Sequence, residues 1–245
     1  MSHSWIGIAI LLRQQRNVPM KRLIFWLVAI AFVASISDRA NAAILYSQPS
    51  NNFGFFYSQH DTSGSGSDAT TYDNFTLGST STISSVSWDG GFLPGTHTAI
   101  TSFTLTFYSD NAGQPGAAID VETISGNAGE TATGTDTLLD DTFAYSATLP
   151  TAFTATGGTQ YWLSIVGNMN SGGAFIFGWM NSNAGDGVGY QDLFSQRAEK
   201  TDSAFTLSGT ASSVPEPSSF ATLSIGMGIC GVIAYRKRMN AARVA

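Results

Sequence analysis

Residues 103–107 read Phe-Thr-Leu-Thr-Phe, so apolar side chains recur at every second position. A period of two puts Phe103, Leu105 and Phe107 on one side of a strand, with Thr104 and Thr106 on the other. Related runs occur at Asn74-Phe75-Thr76-Leu77, Val86-Ser87-Trp88, residues 161–166, residues 175–179 and Phe205-Thr206-Leu207. Between them stand turn clusters: Asp89-Gly90-Gly91, residues 109–116, Gly157-Gly158, Ser171-Gly172-Gly173 and Gly185-Asp186-Gly187. Asn, Asp and Gly suit such corners because they tolerate positive φ and bond locally to the backbone. No capped stretch of helical period interrupts residues 43–213. The pattern predicts an all-β body over residues 43–209, a single jelly-roll-like β-sandwich, with a barrel as the alternative. Residues 58–71 are rich in Ser, Gly and Asp and poor in apolar side chains, which predicts a long mobile loop.

The two ends follow another pattern. Lys21-Arg22 precedes twelve apolar residues, 23–34, and Ala40-Asn41-Ala42 supplies a small-x-small cleavage site. Together these predict a signal peptide over residues 1–42, starting in effect at Met20 and cut after Ala42. At the other end, residues 220–235 carry no charge. As a helix they reach roughly 24 Å, short of a hydrocarbon core of about 30 Å. Arg236-Lys237-Arg238 follow, and basic residues beside a span stay cytoplasmic, so residues 236–245 are predicted inside and the β body outside. Pro215 and Pro217 lack backbone donors and keep the 210–219 linker extended. Gly226-Met-Gly228-Ile-Cys-Gly231 copies a dinucleotide-loop spacing but follows no strand and lies within the apolar run. Small residues in a membrane helix explain it.

Val214-Pro215-Glu216-Pro217, then the short apolar run, then Arg236-Lys237-Arg238, closely resembles the PEP-CTERM sorting signal of Gram-negative bacteria that make extracellular polysaccharide. The resemblance implies processing by an exosortase-type enzyme. It also implies a transient stay in the inner membrane and a final place at the cell surface or in the extracellular matrix. A second likeness covers most of residues 72–209. Tyr72-Asp73-Asn74-Phe75-Thr76-Leu77 and the stretches 83–88, 103–116 and 158–165 are similar to β-sandwich ectodomains common on such proteins. Core and turn residues carry this likeness, so it implies a fold and no activity.

Charge changes the picture of the body. Residues 43–213 hold twelve Asp and three Glu against Arg197 and Lys200, a net charge of −13, while the whole chain shows only −6. Such a surface argues against nucleic acid as a partner and permits divalent cations. The single cysteine, Cys230, falls in the C-terminal apolar run, so the body has no disulfide.

Catalytic chemistry has little to stand on. His60 and His97 are read as solvated loop residues, no Gly-x-Ser-x-Gly elbow occurs, and two histidines without cysteine do not close a zinc site. Glu122, Glu130 and Glu199 are read as solvent-facing, with no spacing that marks a glycosidase pair. No cofactor is expected, and calcium is the one candidate ion, with Asp61, Asp68, Asp73, Asp110 and Asp186 as ligands in loops and turns. Trp88, Trp162 and Trp179 either fill the core or, with Tyr190, stack on sugar rings. The sequence therefore reads as an exported, non-catalytic surface or matrix protein associated with exopolysaccharide. A carbohydrate- or calcium-binding module is the alternative, and a secreted hydrolase ranks below it.

Overall fold

The computed structural model describes residues 42–64, 68–93, 97–173 and 176–212. Ala40, Val214, Pro215, Glu216, Pro217, Arg236, Lys237 and Arg238 lie outside these, as do the spans expected at residues 23–34 and 220–235. The described residues form strands and no helix.

Two sheets of seven strands build the body. The spine of the first is β5 (Ser81–Phe92), which pairs on one edge with β9 (Asp141–Ala155), itself followed by β8 (Thr131–Thr135). The other edge of β5 is shared by β14 (Phe205–Ala211) and, at its far end, β11 (Phe177–Ser182). Outside these run β1 (Ala43–Gln48) on β14 and β2 (Ser50–Tyr57) on β11. The second sheet runs from β13 (Gln196–Lys200) through β12 (Gly189–Leu193), β4 (Ala69–Thr76), β10 (Gln160–Met169) and β6 (Ile100–Asp110) to β7 (Pro115–Ser125). A short β3 (Gln59–Asp61) lies parallel to the end of β10, and the other pairings are antiparallel.

The core sits between the sheets, as the period-two runs require. Phe103, Leu105 and Phe107 of β6 are fully buried. Rings from the two sheets meet there: Trp88 of β5 stands edge-on to Phe103 at 4.9 Å, and Phe107 of β6 stacks on Phe153 of β9 at 4.3 Å. Phe75 of β4 meets Phe205 of β14 edge-on. Such pairs add to area burial because ring edges and faces carry opposite partial charge. Gly178, between the core residues Phe177 and Trp179, faces the other side of the sheet, where the ring of Phe55 occupies the place of any Cβ.

Two expectations need correction. Residues 58–71, expected as a loop, contain β3 and the start of β4, and Ser58, Gln59, Asp61 and Thr71 are buried. Their polar groups enter by bonding to strands: Ser58 Oγ donates to the Ile165 carbonyl at 2.6 Å, and Gln59 Oε1 accepts the Phe177 amide at 2.7 Å. Apolar periodicity cannot register such residues. At the other boundary β14 continues to Ala211, so the first two residues of the expected linker belong to the body.

Candidate functional site

The tryptophans do not form a sugar platform. Trp88, Trp162 and Trp179 are 2%, 0% and 0% exposed. Trp179 packs on Phe205 and donates its ring N–H to the Ala204 carbonyl at 2.7 Å. Trp88 stacks on Tyr145 inside the sandwich. Trp162 leaves β10 on the side opposite Leu163, yet it is covered: its ring N–H donates to Asp110 at 2.9 Å and Tyr190 packs on it. Tyr190 is half-buried by that contact.

The five aspartates expected to bind calcium do not converge. Asp61 accepts the amides of Ser63, Ser171 and Gly173, tying the end of β3 to the turn after β10. Burial alone would raise its carboxyl, but the hydrogen bonds from Ser63 and Ser171 hold it at about 2. Asp68 pairs with His60 Nδ1 at 3.0 Å and accepts the Asp61 amide. Asp110 caps its own hairpin through Gly113 and holds Trp162. Asp68 thus adjoins Asp61 through a backbone amide, and Asp73 and Asp186 come together with Asp202, which carries no signal in the sequence. Among the described residues, no three acidic, histidine or cysteine side chains stand at metal-ligating spacing.

Alternation places Asp73 on the same face of β4 as Phe75, pointing into the sandwich, and it is 0% exposed. Its carboxylate accepts the Asn74 amide at 2.7 Å and, from the other side, the Ser203 amide. Asp202, 2% exposed, accepts the amides of Gly185 and Gly187 at 3.0–3.1 Å and so holds the turn between β11 and β12. Asp186 in that turn takes the Asn74 side-chain amide at 3.0 Å. Tyr46 and Gln48 close the group from β1, with Gln48 Nε2 donating to the Tyr46 hydroxyl at 3.0 Å. Burial pushes the Asp73 carboxyl well above the ordinary range; the Ser203 and Asn74 amides oppose this, and Asp202 and Asp186 add to it. Burial, then Asp73, Asp202 and Asp186, push the Tyr46 phenol up to about 12. The ion pairs among the described residues are His60–Asp68, His97–Glu130 and Arg197–Asp192, so none neutralises this group.

The profile of a domain of unknown function, DUF7901, matches residues 44–219. The chain belongs to the DUF7901 family. The match runs from β1 past the end of β14 and so takes in both sheets. No curated protein and no solved structure matches the chain.

The DUF7901 domain has a second polar group, in which His97 is exposed, as expected, while Glu130 is half-buried rather than solvent-facing. His97 Nε2 lies 3.2 Å from Glu130 Oε1, while the Tyr145 hydroxyl donates to Glu130 Oε2 at 2.8 Å. The imidazole stacks on Phe143 and meets Phe92 edge-on. Burial, with Glu130 beside it, raises the Tyr145 phenol far above its usual range. The carboxylate thus fastens the His97 segment to a strand of the first sheet. Glu122 is likewise buried, accepting the Thr151 amide at 3.1 Å. Glu199 is exposed, as expected.

Proposed function

We propose that this DUF7901 protein is exported and non-catalytic, a component of the cell surface or extracellular matrix associated with extracellular polysaccharide. In this reading a leader is cut after Ala42, and an exosortase-type enzyme processes the PEP-CTERM-like tail at residues 214–238. The observation that carries the reading is the tail itself: Val214-Pro215-Glu216-Pro217, sixteen uncharged residues and Arg236-Lys237-Arg238 in that order. Supporting it, β1 opens at Ala43, immediately after the expected cleavage site. The pairing of the first strand with the last supports jelly-roll-like winding of the sandwich. The non-catalytic reading draws on the acids already described, since Asp61, Glu122, Glu130 and Asp202 hold backbone amides or a phenol. The sugar-platform alternative loses its three tryptophans to burial.

The test is expression of the full chain in a Gram-negative host with and without its exosortase, followed by fractionation and intact-mass measurement. The expected product starts at Ala43, lacks residues 220–238 and appears outside the cell only when the enzyme is present. An extracellular product that keeps residues 220–238 would sink the sorting reading. Release of reducing sugar by the purified protein, abolished by one Asp or Glu substitution, would put a hydrolase in its place.

A further inference from the structure

We propose that Gln48 Oε1 and Asp202 Oδ1 are ligands of a hard divalent cation of the calcium class, held beside Asp73 and Asp186. Three observations carry this. The first is a group of carboxyls without a cationic partner. Three carboxylates from separate stretches of the chain meet at the junction of β1, β4 and the 183–188 turn, two of them out of solvent. The donors they are given are backbone amides and Asn74, and no described ion pair reaches them. Buried carboxylates in protein interiors are paired, protonated or bound to a metal.

The second observation is an orphan acceptor aimed at the group. Gln48 is 2% exposed and its Oε1 has no hydrogen-bond partner. A Cβ built on Gly185 would strike Gln48 Oε1 and sit 2.6 Å from Asp202 Oδ1, so the two oxygens converge on one glycine. Asp202 already has the Gly185 and Gly187 amides as donors, so Gln48 Oε1 is the oxygen left without a positive partner beside a carboxylate, and a cation supplies one. Ser203 Oγ, fully buried and also without a partner, belongs to the residue whose amide holds Asp73.

The third is the chemistry of the donors. Carboxylate, amide and hydroxyl oxygens select hard cations, and neither histidine nor cysteine is among them. Ligands drawn from a strand end and a glycine turn suit the irregular shell of calcium better than the strict octahedron of magnesium. Among the described residues no three acidic side chains stand at ligating spacing, so water completes the shell, with the exposed Asp186 adding its charge from the solvent side.

The experiment uses the full chain, purified in mild detergent after EDTA treatment, with Ca²⁺ and Tb³⁺ as probes. Ca²⁺ should raise the melting temperature, and EDTA should reverse the rise. Tb³⁺ should luminesce on excitation of Tyr46, whose phenol feels all three aspartates, and Ca²⁺ should quench that signal by competition. Gln48→Leu should weaken Ca²⁺ by about tenfold or more, Gln48→Glu should tighten it, and Asp68→Asn, at the His60 pair, should leave it unchanged. Because Asp202→Asn threatens the turn it holds, the two Gln48 variants carry the decision. A melting temperature indifferent to Ca²⁺, Mg²⁺ and EDTA would overturn the proposal and leave the Gln48 amide donating Nε2 to Asp202. A Ca²⁺ response that persists unchanged in both Gln48 variants would overturn it too, assigning the ion to the acidic surface. Neither arm depends on export.

Discussion

Ala43 lies opposite Gly209 in the register of β1 against β14, so the first and last strands of the body are hydrogen-bonded neighbours. Tyr46, three residues into β1, packs its ring against Phe205 at 5.4 Å and Phe75 at 6.1 Å. A chain that starts at Ala43 keeps both the edge and this contact. N-terminal sequencing of the exported protein should therefore return Ala43. A variant lacking residues 43–48 should melt lower and self-associate, since it bares the edge of β14. Unchanged melting of that variant would show that β1 contributes nothing to the body.

Leu105 is fully buried at the centre of β6, opposite Ile165 on one neighbouring strand and Glu122 on the other. Leu105→Ala should cost about 2–5 kcal/mol, the loss of burial plus the cavity left behind. Thr104 points to the other face, where its hydroxyl accepts the Asn168 side-chain amide at 3.0 Å. Thr104→Ala should cost about 1 kcal/mol, the net worth of one such bond. Chemical denaturation of both variants decides the matter, and equal losses would mean that β6 presents the opposite face inward.

Phe107 and Phe153 bring the two sheets together, with rings 4.3 Å apart and 10° from parallel. Each single substitution to Leu loses the stack, and the double mutant loses it once. A double-mutant cycle should return a coupling of about 0.5–1.5 kcal/mol beyond the area each ring buries. Strict additivity would show that the rings merely fill volume.

What the sequence reveals depends on whether one face of a strand is dry and the other wet. Around Phe103, Leu105 and Phe107 the alternation marks both the strand and its buried side, because the threonines between them face away from the core. β8 is exposed at every residue, and β13 almost throughout, so neither has an apolar face to betray it. The fifteen residues of β9 are broken by Pro150 and a shift in register against β5 near Ile83, which blurs the period. Asp73 is a different case. Phe75 points inward, so the same period sends Asp73 and Thr71 inward, and a carboxyl on a core face was legible as a site. Its partner Asp202 was not, because only the folded chain brings the residue after β13 against the turn at Gly185. Trp162 marks the limit of alternation: the period gives its face, while the hairpin residue Asp110 and Tyr190, distant in sequence, decide its exposure.

Asp61 gives the body an acid-sensitive clasp. Its carboxylate receives the amides of Ser63, Ser171 and Gly173, at 3.0, 3.2 and 3.1 Å, and joins the end of β3 to the turn after β10. The folded group titrates at about 2, whereas an aspartate in the unfolded chain titrates near 3.9. A depressed carboxyl stabilises the fold fully above the unfolded value and loses that contribution as pH falls through the folded one. The clasp should hold from neutral pH down to about 5 and weaken from about 4 to 2. Asp61→Asn replaces one acceptor oxygen by an NH₂ that faces amide donors, so it should lower the melting temperature at pH 7. The gap between this variant and the natural chain should narrow at pH 2.5, where the natural carboxyl is itself becoming protonated. Hydrogen exchange at Ser171 and Gly173 supplies the local readout: both amides should exchange faster in the variant at neutral pH. A gap that stays constant from pH 7 to pH 2.5 would mean that the side chain acts through its shape alone and that its charge has no part in the clasp.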